Sequence, residues 1–238
     1  MIRAENNYAC VIENKLYFGN QVMAKNEDEL TKLGITSIVD LINYLNGKLE
    51  IKHSDKFSVF HLSVVDLPTN NIDWCEEAAA FIEKEISNNK KVYVHCVQGI
   101  SRSTTCVIYY LMTREKKTLK ESFDYLRTIR KVVSPIYGFM KGLSELEMKL
   151  YNTVSFTPEE YSILCLHEVF PSVDIEDVKK IYDESKNEVE NKKEEWEKKR
   201  EEENIEPTGY LCFEKLLTKY GNEALVRRYG CSAHHPFD

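Results

Sequence analysis

The chain has 238 residues, of which 42% are hydrophobic, and a formal net charge of −7. That length suits one medium domain with an appendage and is enough to bury a core. No run of about 18 apolar residues marks a transmembrane helix, and no basic stripe of the kind that nucleic acid or an anionic bilayer would require is present. Residues 1–153 hold 20 Lys and Arg against 19 Asp and Glu, whereas 154–238 hold 12 against 20. A near-neutral domain over 1–153 followed by an acidic, mostly helical extension over 154–238 is therefore expected. The first seven residues lack the apolar core of a signal peptide, so a cytoplasmic location is expected, with the nucleus left open. Seven cysteines without a CxxC pair read as reduced thiols.

In chain order, Cys10–Ile12 and Leu16–Phe18 flank a short polar turn and predict a hairpin closed by Gly19-Asn20. Asn26 and Glu29 form a capping box for a helix ending at Gly34, and Ile35–Leu41 then reads as a strand. Gly47 breaks the pattern before a second strand over Phe57–Leu62. Asp73 with Glu76 predicts another capping box, ahead of Ala78, Phe81, Ile82 and Ile86 at helical spacing. Val92–Val94 forms the central strand. Thr118 with Glu121 caps a helix carrying Phe123, Leu126 and Ile129, and after Ser134-Pro135 the positions Phe139, Leu143, Leu146 and Leu150 make a helical core stripe. Strands of near-continuous hydrophobicity alternating with amphipathic helices predict an α/β fold with a mainly parallel sheet covered on both faces. In the extension, Thr157-Pro158 opens a helix closed by Phe170-Pro171, and Asp174 opens another. Glu188–Glu206 is a charged helix or linker, and Gly209–Tyr220 is helical again.

The central strand runs into Val94-His95-Cys96-Val97-Gln98-Gly99-Ile100-Ser101-Arg102-Ser103, where a cysteine and an arginine bracket five residues, and Thr104–Met112 leads out as a buried helix. Backbone amides of such a turn, the positive end of the helix and the Arg102 guanidinium together make an anion site. Arg102 can hold two oxygens with its planar fork, and Gly99 permits a tight turn. A thiol in that field is stabilised as the thiolate, and Cys96 becomes a nucleophile in line with a bound phosphorus atom. The leaving oxygen then needs a proton from outside the loop. Asp66, after a predicted strand in Val64-Val65-Asp66-Leu67-Pro68, is the candidate acid, with a return role as base toward water. Ser103 could donate to the departing thiolate.

His95-Cys96-x5-Arg102-Ser103 resembles the signature of the cysteine-dependent protein tyrosine phosphatases, and Gly99-Ile100-Ser101-Arg102-Ser103 resembles their dual-specificity branch. Leu16–Asn20, Leu33–Thr36, Tyr110–Met112 and Ser134-Pro135-x-x-Gly138-Phe139-Met140 look like that branch in order and spacing, so the likeness covers roughly 8–150. It implies Cys96 as nucleophile, Arg102 as phosphate ligand, Asp66 as acid and base, Ser103 as an aid to breakdown, and no metal or cofactor. It also implies a supporting role for His95 beneath the loop and makes Arg130 an arginine near the mouth able to touch a second anionic group. Ile136 departs from the asparagine usual after Ser-Pro.

The residues Val97, Gln98, Gly99, Ile100 and Ser101 would bind the phosphate and include no lysine, unlike the basic loops of inositol-phospholipid phosphatases. A shallow pocket admitting phosphotyrosine, phosphoserine and phosphothreonine in proteins is expected. The alternatives are a phosphoprotein-binding module with little turnover, motivated by Ile136 and the acidic extension, and a phosphoinositide phosphatase. Cys75 and Cys106 are either core thiols or redox partners of Cys96. Leu164–Pro171 followed by Asp174–Asp183 resembles a CUE ubiquitin-binding domain over 157–200, although its terminal di-leucine is not evident, so ubiquitin is a possible partner through this segment. His234 and His235 beside Cys231 stand too close together for a metal site without a second pair.

Overall fold

The computed structural model describes residues 7–44, 51, 53–221 and 224. The Gly47 break and the His234, His235 and Cys231 group lie outside the described residues. The chain opens with the hairpin of β1 (Tyr8–Ile12) and β2 (Leu16–Asn20), antiparallel, with Tyr8 opposite Gly19 and a bulge between Cys10 and Ile12. Two short helices follow, α1 (Gln21–Ala24) and α2 (Glu27–Leu33). Asn26 caps α2 through Glu29 N, and Gly34 ends it with a left-handed φ of 75° that a side chain would resist. The sheet continues in β3 (Ile35–Asp40), β4 (Ser58–His61) and β5 (Lys91–Cys96), with α3 (Cys75–Ser87) between the last two.

Strand order is β1-β2-β5-β3-β4, and every pairing except the hairpin is parallel. The central strand β5 is buried from Val92 to Cys96. Its alternation sends Tyr93 into a cluster with Met23, Ala24, Leu30 and Ile38 and leaves Val92 and Val94 for the face where α3 and α4 (Arg102–Thr113) lie. Helices on both faces explain why these strands are apolar throughout. Register aligns Asn20 with Cys96 and Asp40 with His95, so three strands end together at the carboxyl edge of the sheet. In open α/β sheets that edge is where ligands bind.

Next come α5 (Leu119–Ile129) and α6 (Tyr137–Tyr151). Thr118 and Glu121 form the expected reciprocal box on α5. The box expected at α3 is absent. Trp74 is its N-cap without a side-chain bond, because Cys75 N is already taken by Ile72 O at 2.9 Å, while Asp73 pairs locally with Asn71 and Glu76 is drawn to Arg114 and Tyr109. The stripe on α6 is also shorter than its spacing predicts. Phe139 and Leu143 are buried, but Leu150 is 43% exposed, and the carboxylate of fully buried Glu147 takes its place on the inner face. That carboxylate accepts from Leu119 N and from Ser155 N, both at 2.7 Å, so it caps α5 from a distance.

The chain divides into two compact units. One comprises Met1–Asp66, Asn71–Pro135 and Gly142–Ser155, and contains the sheet. The other comprises Leu67–Asn70, Ile136–Lys141 and Phe156–Asp238. In the second, α7 (Pro158–Val169) starts at a Thr157–Glu160 capping box, and α8 (Ile175–Asn191) starts at Asp174. The charged stretch forms the end of α8 and all of α9 (Lys193–Glu203), ahead of α10 (Pro207–Tyr220). Phe170, fully buried, packs on Phe213 with ring centroids 5.4 Å apart. Trp196 is the one buried residue of α9. Glu206 caps α10 through Thr208 N and Gly209 N, and burial raises its carboxyl pKa. Among the described residues no helix is long and apolar enough to cross a membrane.

Candidate active site

Cys96 is the last residue of β5 and Arg102 the first of α4, so residues 97–101 turn through the carboxyl edge of the sheet. What shapes this turn is the fate of its carbonyls. Val97 O accepts from Gln21 N at 3.2 Å, Gln98 O from Arg130 Nη2 at 3.2 Å, Gly99 O from Arg130 Nε at 2.9 Å, and Ile100 O from Ser134 N at 3.0 Å. Four successive carbonyls are thus held by the scaffold outside the loop. Their peptides are trans, and a trans peptide sends the next N–H opposite its C=O. The amides of Gln98, Gly99, Ile100 and Ser101 therefore face the concave side. One of them marks the direction directly: Gly99 N donates to Cys96 Sγ at 3.3 Å.

Gly99 makes this possible with a φ of 69° and a close approach to the hairpin, where a Cβ would stand 2.6 Å from Gly19 O. Ser103 Oγ lies 3.4 Å from both Cys96 Sγ and Gly19 O. Asn20, opposite Cys96, is tied into α1 through Val22 N and Met23 N. Cys96 itself is 1% exposed.

Arg102 is anchored by two carbonyls, Leu41 O at 3.3 Å and Val64 O at 3.1 Å. Its Nε lies 3.3 Å from Asp66 Oδ2, and Ser101 Oγ donates to Asp66 Oδ1 at 2.7 Å. The structure thus brings Asp66, Cys96, Ser101, Arg102 and Ser103 to one place. A tetrahedral dianion seated over Cys96 would meet inward amides, the helix start and the guanidinium, while Asp66 stands at the rim as the nearest carboxyl group bonded to the loop.

His95 is fully buried behind the cysteine, stacked on Tyr93, with Nε2 3.7 Å from Asp40 Oδ1. Burial pushes its pKa down to about 4 against the opposing pull of Asp40. The ring is therefore neutral at physiological pH. Asp40 carried no sequence signal beyond closing a strand, yet its carboxylate also accepts from Ile42 N and the Tyr44 hydroxyl, fixing the adjacent edge.

Arg130 stands differently from its expectation as a ligand at the mouth. It is 7% exposed and donates to the back of the loop, and burial lowers its pKa. Ser134 reaches Ile100 with its backbone, so this contact does not depend on the side chain at Ile136. Cys75 and Cys106 are fully buried, and burial raises both thiol pKa values, which leaves them protonated and poorly suited to resolve an oxidised Cys96.

Residues 16–149 match the family model of the dual specificity phosphatase catalytic domain. The chain belongs to the dual-specificity phosphatase family. The dual specificity protein phosphatase PHS1 of Arabidopsis thaliana is 33% identical over 146 residues, 61% of this chain and 16% of that protein. Dual specificity protein phosphatase 1 of the same plant is 31% identical over 147 residues, 61% of this chain and 72% of that one. Among solved structures, the human tyrosine phosphatase-like serine/threonine/tyrosine-interacting protein superposes with a TM-score of 0.56 at 27% identity, covering 61% of this chain and 98% of that one. The family likeness lies in residues 16–149, and the helices after α6 lie beyond that match.

Proposed function

We propose that this chain is a protein phosphatase acting on phosphotyrosine and on phosphoserine or phosphothreonine through a phosphocysteine intermediate. The observation that carries the reading is the outward fixing of four carbonyls from Val97 to Ile100, which turns a row of amides toward the thiol. A phosphate monoester bound there displaces the Asp66 carboxylate from Arg102. Cys96 Sγ attacks phosphorus and the ester P–O bond breaks. Asp66, in its protonated form, gives its proton to the leaving oxygen. Asp66, now a carboxylate, then takes a proton from water as that water attacks phosphorus. The S–P bond breaks with its electron pair going to sulfur, and Ser103, 3.4 Å away, stabilises the thiolate.

Substrate class follows from what surrounds the bowl. Between Cys96 and Arg102 there is no lysine to meet the additional phosphates of an inositol lipid, and phosphoprotein is the favoured partner. Hydrolysis of an aryl phosphate and of phosphotyrosine and phosphothreonine peptides, with a phosphoinositide in parallel, tests the reading. Activity that survives Cys96→Ser would end it. Peptide binding without turnover in the native chain would leave a phosphoprotein-binding module instead.

A further inference from the structure

A chain of hydrogen bonds within the sheet unit starts in the core and ends at the loop. Tyr93, on the central strand β5, is fully buried, and its ring is stacked on His95 with centroids 5.8 Å apart. Its hydroxyl donates to Asn20 O at 2.8 Å. That hydroxyl has room only because Gly19 lacks a side chain, since a Cβ there would stand 2.6 Å from Tyr93 Oη. Asn20 O belongs to the Asn20–Gln21 peptide, whose other end, Gln21 N, donates to Val97 O at 3.2 Å. The peptide is trans, so its C=O and N–H point in opposite directions and fixing one aims the other. Asn20 Oδ1 caps α1 through Val22 N and Met23 N, which leaves Gln21 N to the loop. With Val97 O held in this way, the next amide, Gln98 N, faces the concave side.

We infer that Tyr93 is a positioning residue for the phosphate loop, acting through the Asn20–Gln21 peptide on the amide of Gln98. This rests on the phosphatase reading above, in which that loop binds the phosphate. Every residue of the chain, from Tyr93 through Gly19, Asn20 and Gln21 to Val97 and Gln98, lies in the sheet unit. The outward carbonyls are held by different means. Arg130 takes Gln98 O and Gly99 O with its side chain, and Ser134 takes Ile100 O with its backbone. Val97 O is held by a peptide whose own orientation depends on a tyrosine. An apolar side chain would serve the core cluster with Met23, Leu30 and Ile38 equally well, and a buried hydroxyl is costly without a partner. The hydroxyl is therefore the part of Tyr93 that the core does not need. Burial raises its pKa, so it keeps its proton and remains a donor. Hydrogen bonds linked in series polarise one another, and the chain ends by strengthening the donor offered to the anion.

Phosphate affinity provides the test. Tyr93→Phe in the full chain removes the hydroxyl and keeps the volume. Tyr125→Phe is the matched control, because its hydroxyl donates to Val11 O at 2.6 Å, a carbonyl of the edge strand β1. Inorganic phosphate is titrated into each protein and its Kd read from amide chemical shifts, which needs no turnover. Tyr93→Phe is expected to weaken phosphate binding about 3- to 5-fold, the scale of one neutral hydrogen bond, while Tyr125→Phe keeps the native Kd. Gln21→Pro removes the next donor in the chain. It does so at the first position of α1, where proline is favoured, after an Asn20 whose extended backbone suits it. Its Kd should rise at least as much, and adding Tyr93→Phe to it should change nothing further, because the two groups act in series. A native Kd in Tyr93→Phe, an equal rise in Tyr125→Phe, or additive losses in the double variant would overturn the inference. Failure of the phosphatase reading would show separately, as activity retained in Cys96→Ser, on which these binding constants do not depend.

Discussion

The carboxylate of Asp66 faces the guanidinium of Arg102, with Oδ2 3.3 Å from Nε. The two groups assigned to opposite ends of the reaction, one to phosphate and one to the leaving oxygen, thus face each other as an ion pair. Ser101 completes the arrangement by donating to the other carboxylate oxygen at 2.7 Å. Binding of a phosphate dianion must break this pair, both because the arginine is needed and because two anions cannot share it.

Asp66→Asn is therefore expected to act in two directions. The amide still accepts from Ser101 but no longer competes for Arg102, so inorganic phosphate should inhibit about 2- to 5-fold more tightly, the scale of a partly exposed ion pair. Turnover of a phosphothreonine peptide should fall about 100-fold or more with the loss of the acid. Inhibition constants and kcat measured on the same preparations check both. Weaker phosphate inhibition in the variant would show that the carboxylate helps to hold the anion.

Arg130→Met is expected to cost stability before it costs substrate affinity. Methionine keeps much of the buried stem but leaves the carbonyls of Gln98 and Gly99 without their donors. Removing a charged partner from buried acceptors costs about 2–4 kcal/mol, readable by urea unfolding. With those carbonyls free to turn, the opposing amides lose their aim, and kcat/KM should fall on every phosphate ester. A loss confined to doubly phosphorylated peptides, at native stability, would instead make Arg130 a ligand at the mouth.

His95 predicts a pH dependence of folding. Its pKa is lowered by burial from 6.5 in the unfolded chain to about 4 in the native state, so between those values the unfolded chain binds a proton that the native one does not. Stability is fully present above about pH 6.5 and is lost progressively as pH falls toward 4, by up to about 3 kcal/mol from this group. His53, also depressed by burial, adds in the same direction, while Asp40 opposes the trend. Unfolding free energies at pH 7 and pH 5 should differ less in His95→Gln than in the native chain. An unchanged difference would place the dependence on other groups.

Much of the site was legible because its chemistry is local. Cys96, Gly99, Arg102 and Ser103 lie within eight residues of one strand-turn-helix, and each is marked by a residue type that few other conformations require. Asp66 is expected beside the loop from the need for an acid beyond a strand, and the structure places it against Ser101 and Arg102. The spacing puts a cap at Asp73, but a backbone turn at Ile72 satisfies the helix start first, a competition invisible in spacing. Leu150 fits a core stripe by spacing, but it is exposed, while Glu147, a charged residue, is buried.

What the sequence by itself determined was the mainly parallel α/β sheet, its central strand and the turn from Cys96 to Arg102, because hydrophobic period and the cysteine-to-arginine spacing are properties of contiguous residues. What only the tertiary structure decided was the set of contacts between residues far apart in the chain. These are Arg130 behind the loop rather than at its mouth, Asp40 beneath it, the Asp66–Arg102 pair, and Tyr93 joined to Asn20. Such contacts depend on where separate elements come to rest, and no local pattern of residues encodes that position.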